Sequence, residues 1–337
     1  MANVGNLTDF AAVRQWIAVG LVASISMSAL PAHALDRLRF GTDWLAEADH
    51  GGFYQALADG TYKNFGLDVE IVPGGPNAAN QTLLIAGKID IYLGTPQAVI
   101  TSTLAGVPLV DIAAIYQRAP QVLMAHPKFK SFEGLTELAD IFMTAGGYDS
   151  YFAWMRATFP GFSEEQYRPY SGSLAPFIAN SKSAQQGLLT SEPYSVESQT
   201  GWKPTVFLLA DYGYSPYAQT ITVLPSFIEK QPELIQRFID ASVVGWTTYL
   251  YGDRSAGNEL IKRENPDMTD ELLDFALAAI KEHELVTGGD AVDGGIGCIS
   301  DSRYEAFYMT LVESGLAPPG FDYRRVFDTR FVCKAKL

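Results

Sequence analysis

Short apolar runs alternate with helical stretches through most of this chain, and that alternation constrains the fold more than any other feature. Residues 38–40, 68–72, 89–93 and 109–116 read as strands. Helices are predicted between them, over 52–63, 78–86 and 97–104. The turn Pro73-Gly74-Gly75-Pro76-Asn77 leads into the second of these, and Gly87 closes it. Strands and helices in alternation imply an α/β architecture, a mainly parallel sheet covered on both faces. Near residues 121–127 the sequence leaves this first unit and a second begins. A strand at 141–144 is followed by a helix that Gly146-Gly147-Tyr148-Asp149 opens and that runs to about residue 159. A strand at 167–170 follows, then a helical stretch at 183–187 and an extended pair at 188–189. Strands at 206–210 and 220–224 lead back towards the first unit, and from Pro225 onward the pattern is mostly helical. Both units carry a glycine, a short apolar strand and then a polar residue before proline, Thr95-Pro96 and Glu192-Pro193. That points to two lobes of related design.

Of 337 residues, 47% are hydrophobic and 18% charged, enough core for about two domains. A net charge of -14 argues against nucleic acid or an anionic membrane as partner, since both call for clustered Lys and Arg. Residues 1–34 read as a secretory signal peptide, with Arg14, an apolar run over 16–30 and the cleavage pattern Pro31-Ala32-His33-Ala34. The apolar run is shorter than the roughly 20 residues needed to span a bilayer; a buried N-terminal helix is the alternative. No later run is long and apolar enough to span, so no stable membrane insertion is expected. Cys298 and Cys333 are the only cysteines. In an oxidising compartment they could pair, and two buried thiols are the alternative. No cysteine follows the cleavage site to carry a lipid anchor, so a freely diffusing, monomeric periplasmic protein is expected.

Catalytic signatures are missing. There is no His-Glu-x-x-His, no Gly-x-Ser-x-Gly and no Gly-x-x-x-x-Gly-Lys loop. The acidic, glycine-rich stretch 290–301 does not fit a calcium loop and reads as solvated. No cofactor, metal or catalytic residue is expected. Candidate ligand contacts lie instead where strands end. Asp43-Trp44 follows the first strand, and in open α/β sheets ligands bind beyond the strand ends. A capping Asp and a core Trp are the alternative there. His50, at the next helix start, either contacts ligand or caps. Thr95 ends another strand. Gly146-Gly147-Tyr148-Asp149 offers backbone N–H groups at a helix start; a plain tight turn is the alternative. Glu192, before a proline, needs a donor, either a ligand N–H or a salt bridge. Tyr194, Tyr212 and Tyr214 belong to a cluster of aromatics around these points, of which several must be core.

The runs Asp43-Trp44, Gly60-x-Tyr62, Phe65-Gly66-Leu67-Asp68-Val69, Gly87-Lys88-Ile89-Asp90-Ile91 and Ser191-Glu192-Pro193-Tyr194 resemble the type II periplasmic solute-binding proteins. Within these the chain is most similar to the subgroup that serves thiamine pyrimidine precursors, related to the sulfonate and nitrate binders. The resemblance covers nearly the whole mature chain. It implies a Venus-flytrap fold with lobe one at 35–122 and 213–337, lobe two at 123–212, and two hinge crossovers. It implies a small-molecule ligand handed to the permease and ATPase of an ABC importer. In such relatives a Trp after the first strand stacks on the ring and acidic side chains take its amino groups; Asp43, Trp44 and Glu192 match those places. The ligand expected is a small planar nitrogen heterocycle such as an aminopyrimidine. A sulfonate or nitrate is the alternative within transport, disfavoured because the candidate contacts are acidic or aromatic. Fungal pyrimidine-forming enzymes of the same subgroup are similar around Asp43-Trp44 and His50, but they carry a cysteine-rich motif absent here. A sensor that reports to a membrane receptor is the remaining reading.

Overall fold

The computed structural model describes residues 34–75, 78–170 and 172–334. The predicted export segment, residues 1–34, therefore lies outside the described residues save for Ala34. Ten strands form two five-stranded sheets. The first contains β1 (Asp36–Gly41), β2 (Leu67–Val72), β3 (Ile91–Gly94) and β4 (Val110–Tyr116). The second contains β5 (Gln121–Ala125), β6 (Asp140–Met143), β7 (Tyr167–Pro169), β8 (Ser183–Leu188) and β9 (Thr205–Leu208). The chain then returns to the first sheet as β10 (Ala218–Val223).

The two sheets share one plan. Their orders are β2-β1-β3-β10-β4 and β7-β6-β8-β5-β9. In each, three strands run parallel, and the fourth place belongs to the strand that has just crossed from the other sheet. That strand is antiparallel to both its neighbours, β10 to β3 and β4, and β5 to β8 and β9. The crossings lie between Tyr116 and Gln121 and between Leu208 and Ala218. The strand ends that face the two crossings are therefore the ends that can meet a ligand.

Several expectations change in detail. The stretch 183–187, read as helical, is strand β8. Ser183 and Gln185 are buried and β8 pairs with both β5 and β6, so two ladders fix a segment that has no apolar stripe at helical spacing. The single helix expected over 52–63 is two, Gly51–Ala58 and Thr61–Asn64, broken at Gly60 with a left-handed φ of 82°. The helix opened by the glycine turn contains a wider π-helical turn, Tyr148–Phe152. Strand β5 and the helix Ser255–Glu264 had no counterpart in the sequence reading.

Glycines 51 and 52 serve packing. A Cβ on Gly51 would fall 2.1 Å from the Tyr249 ring, and one on Gly52 2.2 Å from the Trp246 ring. Their absence lets the helix Gly51–Ala58 lie against Pro232–Tyr251, which buries Phe238, Trp246 and Tyr249. Each such side chain contributes about 1.5–3 kcal/mol on burial, so this contact anchors the N-terminal end of the site. The stretch 290–301 is not a solvated loop. Gly297 accepts the Ala114 N–H at 2.9 Å, and the Cys298 carbonyl accepts from Gln117 Nε2 at 2.9 Å. Cys298 and Cys333 form a disulfide, and Gly294 lies where a Cβ would clash with the Cys298 sulfur. No helix among the described residues is long and apolar enough to cross a membrane.

Candidate functional site

The loop after β1 is shaped by a clasp. Thr42 Oγ1 donates to the Trp44 carbonyl at 2.7 Å and accepts the Gly74 N–H at 3.0 Å. Gly74 approaches so closely that a Cβ would fall 2.4 Å from the Asp43 carbonyl carbon. Trp44 emerges 44% exposed. Asp43 Oδ1 accepts the Nε2–H of His50 at 2.8 Å. His50 is fully buried, and its Nδ1 meets no partner among the described residues. The structure thus brings Asp43 and His50 together, as an acceptor and the donor it orients.

Carboxylates gather behind this loop. Asp49 Oδ1 accepts from Tyr116 Oη at 3.1 Å and, across to the second sheet's side, from Thr190 Oγ1 at 3.0 Å. Burial pushes the Asp49 carboxyl up to about 6, against the pull of His50 and its two hydroxyl donors. Glu47 is pushed well above the carboxylate range by burial first, then by Asp49, Asp43 and Glu192. Carboxylates from the loops of both sheets thus contribute to the negative charge around Glu47.

A cleft of about 560 Å³ opens beside this acidic group. It runs between the helix Pro96–Leu104 on the first sheet, the glycine turn on the second, and the two crossings. Of the sequence candidates, Thr95, Gly146, Gly147, Asp149, Glu192 and Tyr214 line it. Asp43, Trp44 and His50 do not; they lie at the mouth of β1, the strand next to β3. Three tyrosines expected at the ligand pack elsewhere because a larger apolar surface claims each ring. Tyr194 rests on Phe275 at 5.4 Å, Tyr212 stacks on Phe132 at 4.2 Å, and Tyr148 packs between Tyr167 and Arg156.

Local hydrogen bonds fix what the cleft presents. Thr95 caps the helix Pro96–Leu104, accepting the Ala98 N–H at 3.3 Å. Thr144 caps the glycine turn in the same way, accepting the Gly147 N–H at 3.1 Å. Glu192 begins the helix Glu192–Thr200, and its Oε2 accepts from the Leu188 N–H at 2.7 Å and from Ser191 Oγ. Among the described residues nothing else bonds its carboxylate. Gln97 joins the two sides of the cleft. Its Nε2 donates to the Asp149 carbonyl at 3.3 Å, and its Oε1 accepts from Tyr214 Oη at 3.4 Å. Burial raises the Tyr151 and Tyr214 hydroxyls, so both rings stay neutral.

The sequence reading missed Gln97, Gln121 and Gln186, all of which line the cleft. Two signals were available: glutamines set where strands begin and end, and Gln186 directly before a glycine. Among the described lining residues there is no Lys or Arg. An inorganic or sulfonate anion would find no cation here. A neutral ligand would find amides, hydroxyls, backbone N–H groups and the acidic residues Asp149 and Glu192.

The sequence profile of the NMT1/THI5-like family matches residues 47–252, well over half the chain. The chain belongs to this family. Among curated relatives it is similar to a formylaminopyrimidine-binding protein of Halalkalibacterium halodurans. The two are 24% identical over 242 residues, 69% of this chain and 72% of the relative. Among solved structures it is similar to the periplasmic aliphatic sulphonate binding protein SsuA of Escherichia coli, with a TM-score of 0.64, 14% identity, and 86% of this chain and 91% of that one covered. It is similar also to the Candida albicans CA3427 gene product, described as showing the generic periplasmic binding protein fold, with a TM-score of 0.62, 16% identity, and 90% and 98% covered. The NMT1/THI5-like chain thus has the two-lobed type II periplasmic binding protein fold.

Proposed function

We propose that this protein is the exported, solute-capturing component of an ABC importer and that its solute is a small planar nitrogen heterocycle of the aminopyrimidine kind. The observation that carries the reading is the cleft itself, set between two lobes and lined by neutral polar groups, three tyrosines and the acidic residues Asp149 and Glu192, with no cation among its described residues. A formylaminopyrimidine-binding relative is consistent with it. One lobe holds the first sheet, built from residues 36–116 and 218–223, and the other holds the second sheet, built from 121–208; the boundary expected at residue 122 falls inside β5 and moves back to the crossing between Tyr116 and Gln121. Ligand bridges them and shifts the population towards the closed form. Glu192 accepts a ligand N–H, Tyr151 and Tyr214 supply ring faces, and Thr95 and the Gly146-Gly147 turn contribute polar edges. Trp44 stacks on whatever part of the ligand extends past Thr95 towards β1, while Asp43 with His50 borders that end.

The closed complex is delivered in the periplasm to a permease and its ATPase. An anion-binding role is disfavoured by the same lining. Mass spectrometry of small molecules released by denaturing freshly purified, undialysed protein tests the reading. A released aminopyrimidine supports it, and a released sulfonate or other anion overturns the ligand class.

A further inference from the structure

Gln186 lies in strand β8 on the wall of the cleft, directly before Gly187. Its carboxamide is held by three donors, all on one atom. Oε1 accepts the Thr144 backbone N–H at 2.7 Å, Tyr151 Oη at 2.6 Å and Thr144 Oγ1 at 3.2 Å. A backbone N–H can only donate. Turning the amide over would set its NH2 against the Thr144 N–H, donor to donor, so the orientation follows from the chemistry of the partners. Gly147 makes the arrangement possible, since a Cβ there would fall 2.4 Å from Tyr151 Oη and 2.6 Å from Gln186 Oε1. Gly146 has no such neighbour. The second glycine of the turn therefore admits this amide, whereas the first does not need to.

With Oε1 engaged, Gln186 has only N–H donors left for the cleft. Glu192, which also lines the cleft, is the mirror case. Both described bonds to its carboxylate fall on Oε2, which leaves Oε1 an acceptor. Both residues line the cleft, Gln186 from β8 and Glu192 from the start of the helix that follows it.

We propose that Gln186 is a specificity-determining residue, and that lobe two reads its ligand through one donor and one acceptor that line the same cleft, Gln186 Nε2 and Glu192 Oε1. This inference rests on the ligand-binding reading above. The complementary ligand carries both an acceptor and a donor, as an aminopyrimidine or a carboxamide does. An amidinium, which has donors only, meets a clash at Gln186. A carboxylate or sulfonate, which has acceptors only, meets one at Glu192.

Gln186→Glu tests this without emptying the site. The new carboxylate keeps all three anchoring donors and changes only what faces the cleft, from donor to acceptor. Formylaminopyrimidine and benzamidine are titrated calorimetrically into the wild type, Gln186→Glu and Gln186→Met. The wild type is expected to bind formylaminopyrimidine and to bind benzamidine at least tenfold more weakly. In Gln186→Glu formylaminopyrimidine binding falls at least tenfold while benzamidine binding strengthens. In Gln186→Met formylaminopyrimidine binding falls and benzamidine gains less than in Gln186→Glu. Unchanged affinities in both variants, or equal loss of both probes in Gln186→Glu, would overturn the assignment and leave the cleft as the binding site. Failure of the wild type to bind formylaminopyrimidine would instead remove the ligand class on which the inference stands.

Discussion

At the scale of single residues, hydrogen bonds decide which chemically suitable side chains are available to a ligand. Asp43 and Glu192 are both carboxylates placed after strands, yet Asp43 holds His50 while Glu192 faces the cleft with one oxygen uncommitted by the described residues. Trp44 and Tyr214 are both aromatic, and only Tyr214 lines the cleft. Stacking of a planar ring on an aromatic is worth about 1–3 kcal/mol. Tyr214→Ala is therefore expected to weaken aminopyrimidine binding about tenfold or more, and Trp44→Ala to weaken it less, both measured by titration calorimetry. The reverse order would place the ligand at the mouth of β1. The sequence pointed to Glu192 and the glycine turn, which line the cleft, because a strand end, a proline and paired glycines are local signals. It could not show that Tyr148, Tyr194 and Tyr212 pack on Tyr167, Phe275 and Phe132, since those partners are distant along the chain. Gln186 escaped for the same reason: its meaning depends on Thr144 and Tyr151, some 40 residues earlier.

At the scale of elements, strand β4 and the C-terminal segment act together. Asp111, fully buried on β4, accepts from Thr222 Oγ1 on β10 and from Tyr304 Oη on the helix Asp301–Glu313, each at 2.6 Å. Burial pushes its carboxyl up to about 6 from 3.8, with both hydroxyls pulling the other way. The native state holds this proton more tightly than the unfolded chain does. That contribution is complete below about pH 4 and is lost as pH rises through about 6. Asp111→Asn removes the titration and keeps an acceptor. The stability of the wild type relative to Asp111→Asn should rise between pH 7 and pH 4, by up to roughly 3 kcal/mol at 1.36 kcal/mol per unit. Chemical denaturation at both pH values checks this, and no change in the difference would refute the account of Asp111. The disulfide closes a loop with a sequence separation of 35 around the same crossing. Chain-entropy arguments assign such a loop about 3–4 kcal/mol, so Cys333→Ser should lower the melting temperature clearly in calorimetry while leaving ligand affinity within a few-fold. Alternation of apolar and polar residues made most strands legible. It failed at β8, where Gln185 is buried between two neighbouring strands and no period marks it.

At the scale of the whole molecule, two sheets of the same order exchange one strand each, and the cleft lies where the crossings pass. This plan follows from the βα alternation plus two return strands, and so the fold class was readable from the sequence alone. The lining of the cleft was not, because it is assembled from five separated stretches of chain, around residues 95–102, 119–121, 144–151, 186–192 and 214–218, with Gln81 and Phe307. What the assembled surface rejects is as informative as what it accepts. With no Lys or Arg among the described lining residues, a ligand of the sulfonate class has nothing to neutralise it, and closure would bury its charge unpaired. The most direct measurement is calorimetric titration of the mature chain with formylaminopyrimidine and, separately, with ethanesulfonate. Saturable one-to-one binding of the pyrimidine with none of the sulfonate is predicted. Binding of ethanesulfonate in preference to the pyrimidine would contradict the central claim.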